Sequence, residues 1–180
     1  MNDRAEQSFA TAAGPRTIRM QRRLPGPVER VWRYLVEDDL RAQWLASGTL
    51  EPRVGGEVLL VFRHADLSPV EEPRPARFAD GPEEHRGTER VTRFEPPHRL
   101  GLTWGGDSEV VFELTPDGTD VLLTLSHAKL ASRAEMVDVA AGWHAHLAML
   151  TARAEGRDPP GFWSTWDGLE EEYDQRLPKD

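Results

Sequence analysis

The sequence predicts an α+β fold: an antiparallel sheet that buries one face against a long C-terminal helix. Three observations carry this. Residues 133–156 repeat apolar side chains at helical steps (Met136, Ala140, Trp143, Leu147, Leu150, Ala154), which is one stripe of an amphipathic helix. Residues 88–127 hold four runs with apolar side chains at alternate positions, separated by turn residues, the pattern of half-buried strands. Near the N-terminus, a first strand is followed by two short stretches with apolar residues at helical spacing.

Composition sets the bounds. The 180 residues fit one domain and can bury a core. Acidic residues outnumber basic ones by 31 to 22, for a net charge of −9, and such a surface repels phosphate backbones, so no nucleic-acid partner is expected. Arg16, Arg19, Arg22 and Arg23 read as solvated positions on an edge strand rather than a basic patch. With no cysteine there is no disulfide, no thiolate nucleophile and no Cys-built zinc site. No apolar signal core opens the chain and no apolar run is long enough to span a bilayer, so a soluble cytoplasmic protein without a membrane partner is expected.

The elements follow in order. Residues 1–15 are polar and small and read as a disordered arm. The first strand covers residues 16–24, with Ile18 and Met20 on one face, and Pro25-Gly26-Pro27 breaks it. Pro27 suits a helix start, and Val28, Val31, Trp32 and Leu35 give the helical pattern. Asp38 or Asp39 can cap a second short helix carrying Leu40, Trp44 and Leu45. Gly55-Gly56 turns the chain into residues 57–64, apolar on both faces like a covered central strand. Residues 65–85, rich in proline and acids with Phe78 as their one aromatic, read as a long loop that packs weakly: a mobile surface insertion or a cavity lid. Strands are then expected at 88–94, 99–104, 109–114 and 119–127, with Asp117-Gly118 as a hairpin turn. Gly156, Pro159 and Pro160 stop the long helix. The tail 157–180 carries Phe162, Trp163, Trp166 and a last helical pattern of Leu169, Tyr173 and Leu177, so it should fold back onto the body.

Several runs together resemble one family: PVERVWRYLVEDDLRAQWL (27–45), GGE (55–57), EPPHRLGLTW (95–104), FELTPDGTDVLLTLSHAKL (112–130) and the GW…L…L…EG of residues 142–156. They are similar to the C-terminal domain of the activator of heat-shock-protein-90 ATPase, within the START-like (SRPBCC, Bet v-type) superfamily. The resemblance covers about residues 16–156, and departs from the family pattern at the Pro-rich loop, longer than the expected hairpin. It implies a helix-grip fold, a curved antiparallel sheet wrapped around the C-terminal helix, with a cavity between the two. The candidate cavity residues are Trp104, Phe112, Leu123, Leu125, His127, Met136, Ala140, Trp143 and Leu147. The alternative is that these side chains fill the core. Ala140, Ala154 and Gly101 are the small residues that would leave space.

Chemistry-bearing motifs are sparse. His144 and His146, two apart on a helix, sit about 200° around the wheel and cannot chelate one ion; they read as boundary residues. His64 and His98 fall at strand ends and His85 in the loop. His127 shares the parity of Val121, Leu123 and Leu125 and should point inward, as a hydrogen-bonded strand-end residue or as a group orienting a ligand or moving a proton. No nucleophile elbow or phosphate-binding glycine loop is present, and the carboxylate pairs read as solvated. No catalytic residue, metal ligand or cofactor is therefore assigned. The first expectation is a domain binding a small, mostly apolar molecule. A polyketide cyclase or aromatase-like enzyme is the alternative. A chaperone-associated activator is the weakest of the three, because the eukaryotic activators carry a further N-terminal domain and about fifteen residues precede the first strand here.

Overall fold

The computed structural model describes residues 9–179. Seven antiparallel strands form one curved sheet around a long helix, which is the helix-grip arrangement. The strands are β1 (Thr11–Gly14), β2 (Thr17–Pro25), β3 (Glu57–Phe62), β4 (His85–Glu95), β5 (Arg99–Trp104), β6 (Ser108–Asp117) and β7 (Asp120–Ala128), in the sheet order β1-β2-β7-β6-β5-β4-β3. Helices α1 (Val28–Val36) and α2 (Asp38–Arg41) link β2 to β3. Helix α3 (Arg133–Ala154) lies in the grip of the sheet, and α4 (Phe162–Trp166) and α5 (Leu169–Arg176) follow it.

The alternating pattern explains the sheet. Along β2 the inward Ile18, Met20 and Leu24 are buried, with exposed or half-buried residues between them. The β6–β7 hairpin turns at Gly118, whose φ of +63° is open to glycine at no steric cost. Ser132 starts α3: its hydroxyl accepts from the Glu135 amide at 3.1 Å, while the Glu135 carboxylate accepts from the Ala131 amide. This is close to the reciprocal cap that the run Ser132-Arg133-Ala134-Glu135 encodes, with the glutamate taking the amide one residue before the N-cap.

Three expectations need correction. First, residues 57–64 do not form a central strand: β3 ends the sheet, pairs with β4 alone among the strands, and has its other edge partly bridged by Ser47 and Leu50. Its outward apolar residues reflect that local cover, not two neighbouring strands. Second, the N-terminal arm is not disordered throughout. Residues 11–14 form β1, and the buried Ala10 donates its amide to the Tyr173 hydroxyl at 2.9 Å. Residues 1–8 lie outside the described residues. Third, α3 buries more than one stripe: Val137, Ala141, Ala145, His146, Met149 and Ala152 are buried as well. The tail supplies the extra cover, for Phe162, Trp163, Trp166, Tyr173 and Leu177 are all buried in the same core.

The Pro-rich segment also packs more firmly than its composition suggests. Leu67 is buried, and Phe78 sets its ring 5.3 Å from Trp163 and 5.1 Å from Trp166. The Arg74 guanidinium donates to the carbonyls of Phe78, Gly81 and Pro82, tying the segment into one turn. Ser68 and Glu72 accept the Phe162 and Trp163 amides at 2.8 and 3.0 Å. Arg77 pairs with Asp138 of α3 and Glu170 of α5, although such exposed pairs contribute less than about 1 kcal/mol each. Aromatic packing should therefore dominate. Limited trypsin digestion is expected to spare the Arg77–Phe78 bond in the native protein and to cut there early in Phe78→Ala. Rapid cleavage at Arg77 in the native protein would show that the segment is loose after all.

Candidate ligand cavity

A partly open cavity of about 560 Å³ lies where the β3–β4–β5 end of the sheet meets the middle of α3. The Pro-rich segment and α4 close its other sides. Leu60 and Phe62 come from β3, Trp104 from β5, Val139, Gly142 and Trp143 from α3, Phe78 from the loop, and Phe162, Trp163 and Trp166 from α4. The rings form a continuous wall: Trp104 lies 4.8 Å from Trp143 and 5.9 Å from Phe62, centroid to centroid. Gly142 sits in the helix facing this space, and a Cβ built there would meet no atom within 4 Å.

Of the nine cavity residues expected from the sequence, Trp104 and Trp143 line this cavity. Phe112, Leu123, Leu125, His127, Met136, Ala140 and Leu147 do not; they are buried in the filled part of the core. The space expected beside Ala140, Ala154 and Gly101 is likewise occupied. Ala140 and Ala154 are buried, and a Cβ on Gly101 would come within 2.5 Å of the Thr92 hydroxyl. The physical reason is curvature. Between β2, β7, β6 and α3 the two apolar faces close on each other, and they part only towards β3, where the aromatic rings prop them open.

His127 is a satisfied core histidine beneath that wall. The Trp143 indole N–H donates to its Nδ1 at 3.0 Å. Nε2 therefore carries the proton and donates to the Ser108 hydroxyl at 3.0 Å, and Ser108 donates in turn to the Trp104 carbonyl. The chain of bonds fixes both cavity tryptophans from behind. Burial pushes the His127 pKa down to about 4, so it stays neutral.

Three histidines to which the sequence assigns no role, His64, His85 and His146, line the cavity. His146 is buried, and its Nδ1–H donates to the Trp44 carbonyl at 2.8 Å. Desolvation, with His64 nearby, pushes its pKa down to about 3. His64 stacks on Phe162 at 4.8 Å and lies 5.3 Å from the His146 ring; burial, followed by the charge of Arg74, lowers its pKa to about 4. His144 turns the other way and accepts the Tyr173 hydroxyl at 2.9 Å. The wheel separation of His144 and His146 thus sends them to different environments. A signal for His146 was present: it stands three residues after Trp143, on the same helical face. Of the charged groups in the wall, Asp138 pairs with Arg77, and Glu89 accepts from the Thr103 hydroxyl and the Gly105 amide. Among the described residues, no three His, Asp or Glu side chains converge to hold a metal ion.

Residues 25–155 match the family described as activator of Hsp90 ATPase homolog 1-like protein. The chain belongs to this family. The protein encoded by gene BPP1335 of Bordetella parapertussis, solved by NMR in solution, is 45% identical, over 95% of this chain and 92% of that one, with a TM-score of 0.80. The crystal structure of CalU16 from Micromonospora echinospora is 24% identical over 88% of this chain and 86% of that one, with a TM-score of 0.65. The Aha1 dimer from Colwellia psychrerythraea is 15% identical over 77% of this chain and 96% of that one, with a TM-score of 0.58. The last two likenesses show the START-like fold alone. A search of curated proteins found no match. No helix among the described residues is long and apolar enough to cross a membrane.

Proposed function

We propose that this family member binds a small, mostly apolar, ring-bearing molecule in the cavity between the sheet and α3. The observation that carries the reading is the cavity itself: about 560 Å³, walled by aromatic rings from five parts of the chain, with a glycine in mid-helix where a larger side chain would fit. Space of this size and lining suits a small aromatic guest. Helical glycine is unfavourable by about 1 kcal/mol relative to alanine, so the site gives up stability while leaving room.

A thermal-shift panel of flavonoids, polyketide-like aromatics and fatty acids tests it. Ligands that bind the folded state alone raise Tm with dose. Gly142→Leu should fill the space, remove the response and leave the protein folded, since leucine is the better helix former. A broad panel with no shift, or an unchanged response in Gly142→Leu, refutes binding at this site.

The second reading, a cyclase or aromatase-like enzyme, is favoured by one observation. Two neutral imidazoles, His64 and His146, line the same space and could move protons on a bound guest. Product formation from a ligand found in the panel, lost in a His64→Phe variant, would move the protein into that class.

A further inference from the structure

His146 is held in a single tautomer. A carbonyl can only accept, so the 2.8 Å contact with the Trp44 oxygen places the ring proton on Nδ1. Nε2 is then a bare acceptor, and it has no hydrogen-bond partner among the described residues. The ring is buried, at 7% exposure, on the cavity wall. Nε2 is not one of the unpaired atoms sealed in the core, so it opens on the cavity, where a donor bound there can pair with it.

His64 repeats the pattern. Its ring lies between Phe62 at 5.8 Å and Phe162 at 4.8 Å, inclined by 22° and 27° to them. Its side chain makes no hydrogen bond among the described residues. One further polar group of the wall, the buried Trp163 indole N–H, also has no partner among the described residues, whereas the charged groups are engaged. Arg74 donates to three backbone carbonyls, Asp138 accepts from Arg77, and Glu89 accepts from Thr103 and Gly105. The cavity therefore offers a planar aromatic slot in which His146 presents an unspent acceptor, while the His64 imidazole and the Trp163 indole hold unspent N–H groups. A carboxylate ligand would meet the His146 lone pair and two wall carboxylates. An aliphatic chain would leave Nε2 unpaired.

We propose that the ligand is a neutral phenol, its ring held among Phe62, Trp104, Trp143 and Phe162 and its hydroxyl donating to His146 Nε2. The proposal rests on the binding reading above and names its ligand class. The His64 imidazole is free to donate to the same phenolic oxygen. Burial keeps both histidines neutral at pH 7, as this bond requires.

Titration calorimetry with 2-naphthol, 2-methoxynaphthalene and 2-naphthoate tests it. These share one ring system and differ in the donor. 2-Naphthol should bind about tenfold or more tightly than the ether, and the carboxylate most weakly, as expected for one hydrogen bond to a buried acceptor. Equal affinity of naphthol and ether overturns the phenol assignment while binding stands. No binding of any of the three overturns both. In His146→Phe the naphthol advantage should vanish while the ether still binds; an advantage that survives overturns the assignment. Should that variant not fold, nitrogen-15 NMR of the unsubstituted protein decides. The His146 Nε2 resonance should move toward the hydrogen-bonded range on saturation with naphthol and stay still with the ether. A Nε2 signal unmoved by saturating naphthol overturns the proposal.

Discussion

Lowering the pH from 7.5 to 5.0 is expected to remove several kcal/mol of stability. Four histidines, His64, His127, His144 and His146, have pKa values pushed below the ordinary 6.5, to about 4, 4, 4 and 3, in each case chiefly because burial penalises the charged form. Their neighbours add to this: Arg74 and His85 beside His64, Arg22 and Arg176 beside His144, and His64 beside His146. A base whose folded pKa is depressed binds fewer protons folded than unfolded, so stability rises with pH across the gap. The contribution is whole above about 6.5 and is lost as pH falls toward 4. One such histidine loses roughly 2 kcal/mol by pH 5. His64 and His144 are partly open to solvent, which reduces their share, and a combined loss of about 3–6 kcal/mol is expected. That approaches the whole stability of many domains. The carboxylates held low by partners, Glu37 and Glu84 by arginines and Asp174 by Arg133, act in a lower window, because their unfolded values are 4.5 and 3.8. Urea midpoints at pH 7.5 and 5.0 check the prediction, and coincident midpoints would show that these imidazoles titrate normally.

The sheet and the long helix were legible because their signals are local. Leu100 and Leu102, or Val121, Leu123 and Leu125, alternate in sequence and are all buried in the structure. Asp117-Gly118 makes the turn it encodes. The strand β3 was misplaced because an apolar run looks alike whether strands or a looping segment cover its outer side. The cavity was harder for a different reason. A periodic pattern shows which residues face inward, but not where two apolar faces separate. Phe112 and Trp104 stand on neighbouring strands with similar apolar character, yet only Trp104 reaches the open end. The lining of that end comes from Phe62, Phe78 and Phe162, far apart in sequence, and no local period links them. The angle between His144 and His146 on the helix argues against a shared site, while the three-residue step from Trp143 to His146 is what puts His146 on the cavity face. The tail was placed on the body by its aromatic content, since three buried rings in five residues need a surface to cover.

Trp143→Ala is expected to cost about 3–5 kcal/mol, the range for removing a large ring from a packed core. The indole is 3% exposed and packs on Phe112 and Trp104 with centroids 5.6 and 4.8 Å away. It also does polar work, because its N–H satisfies His127 Nδ1 at 3.0 Å. Alanine removes both contributions at once, so a second substitution separates them. Trp143→Phe keeps much of the apolar bulk but leaves the His127 acceptor unpaired, at about 1–3 kcal/mol for a buried group. A neutral His127 can then turn over, or take a proton more readily, so the phenylalanine variant should also show a raised His127 pKa. Urea melts give the two stability losses, and an NMR titration of His127 gives the third quantity. If alanine costs less than about 1 kcal/mol, the range of surface changes, Trp143 is not an anchor of the grip. A phenylalanine variant as stable as the native protein, with His127 unchanged, would mean that the indole N–H is not what holds the histidine. Because the same indole lines the cavity, the two substitutions also set how much of the site depends on this bond. A loose Trp143 would blur the aromatic wall against which any guest must rest.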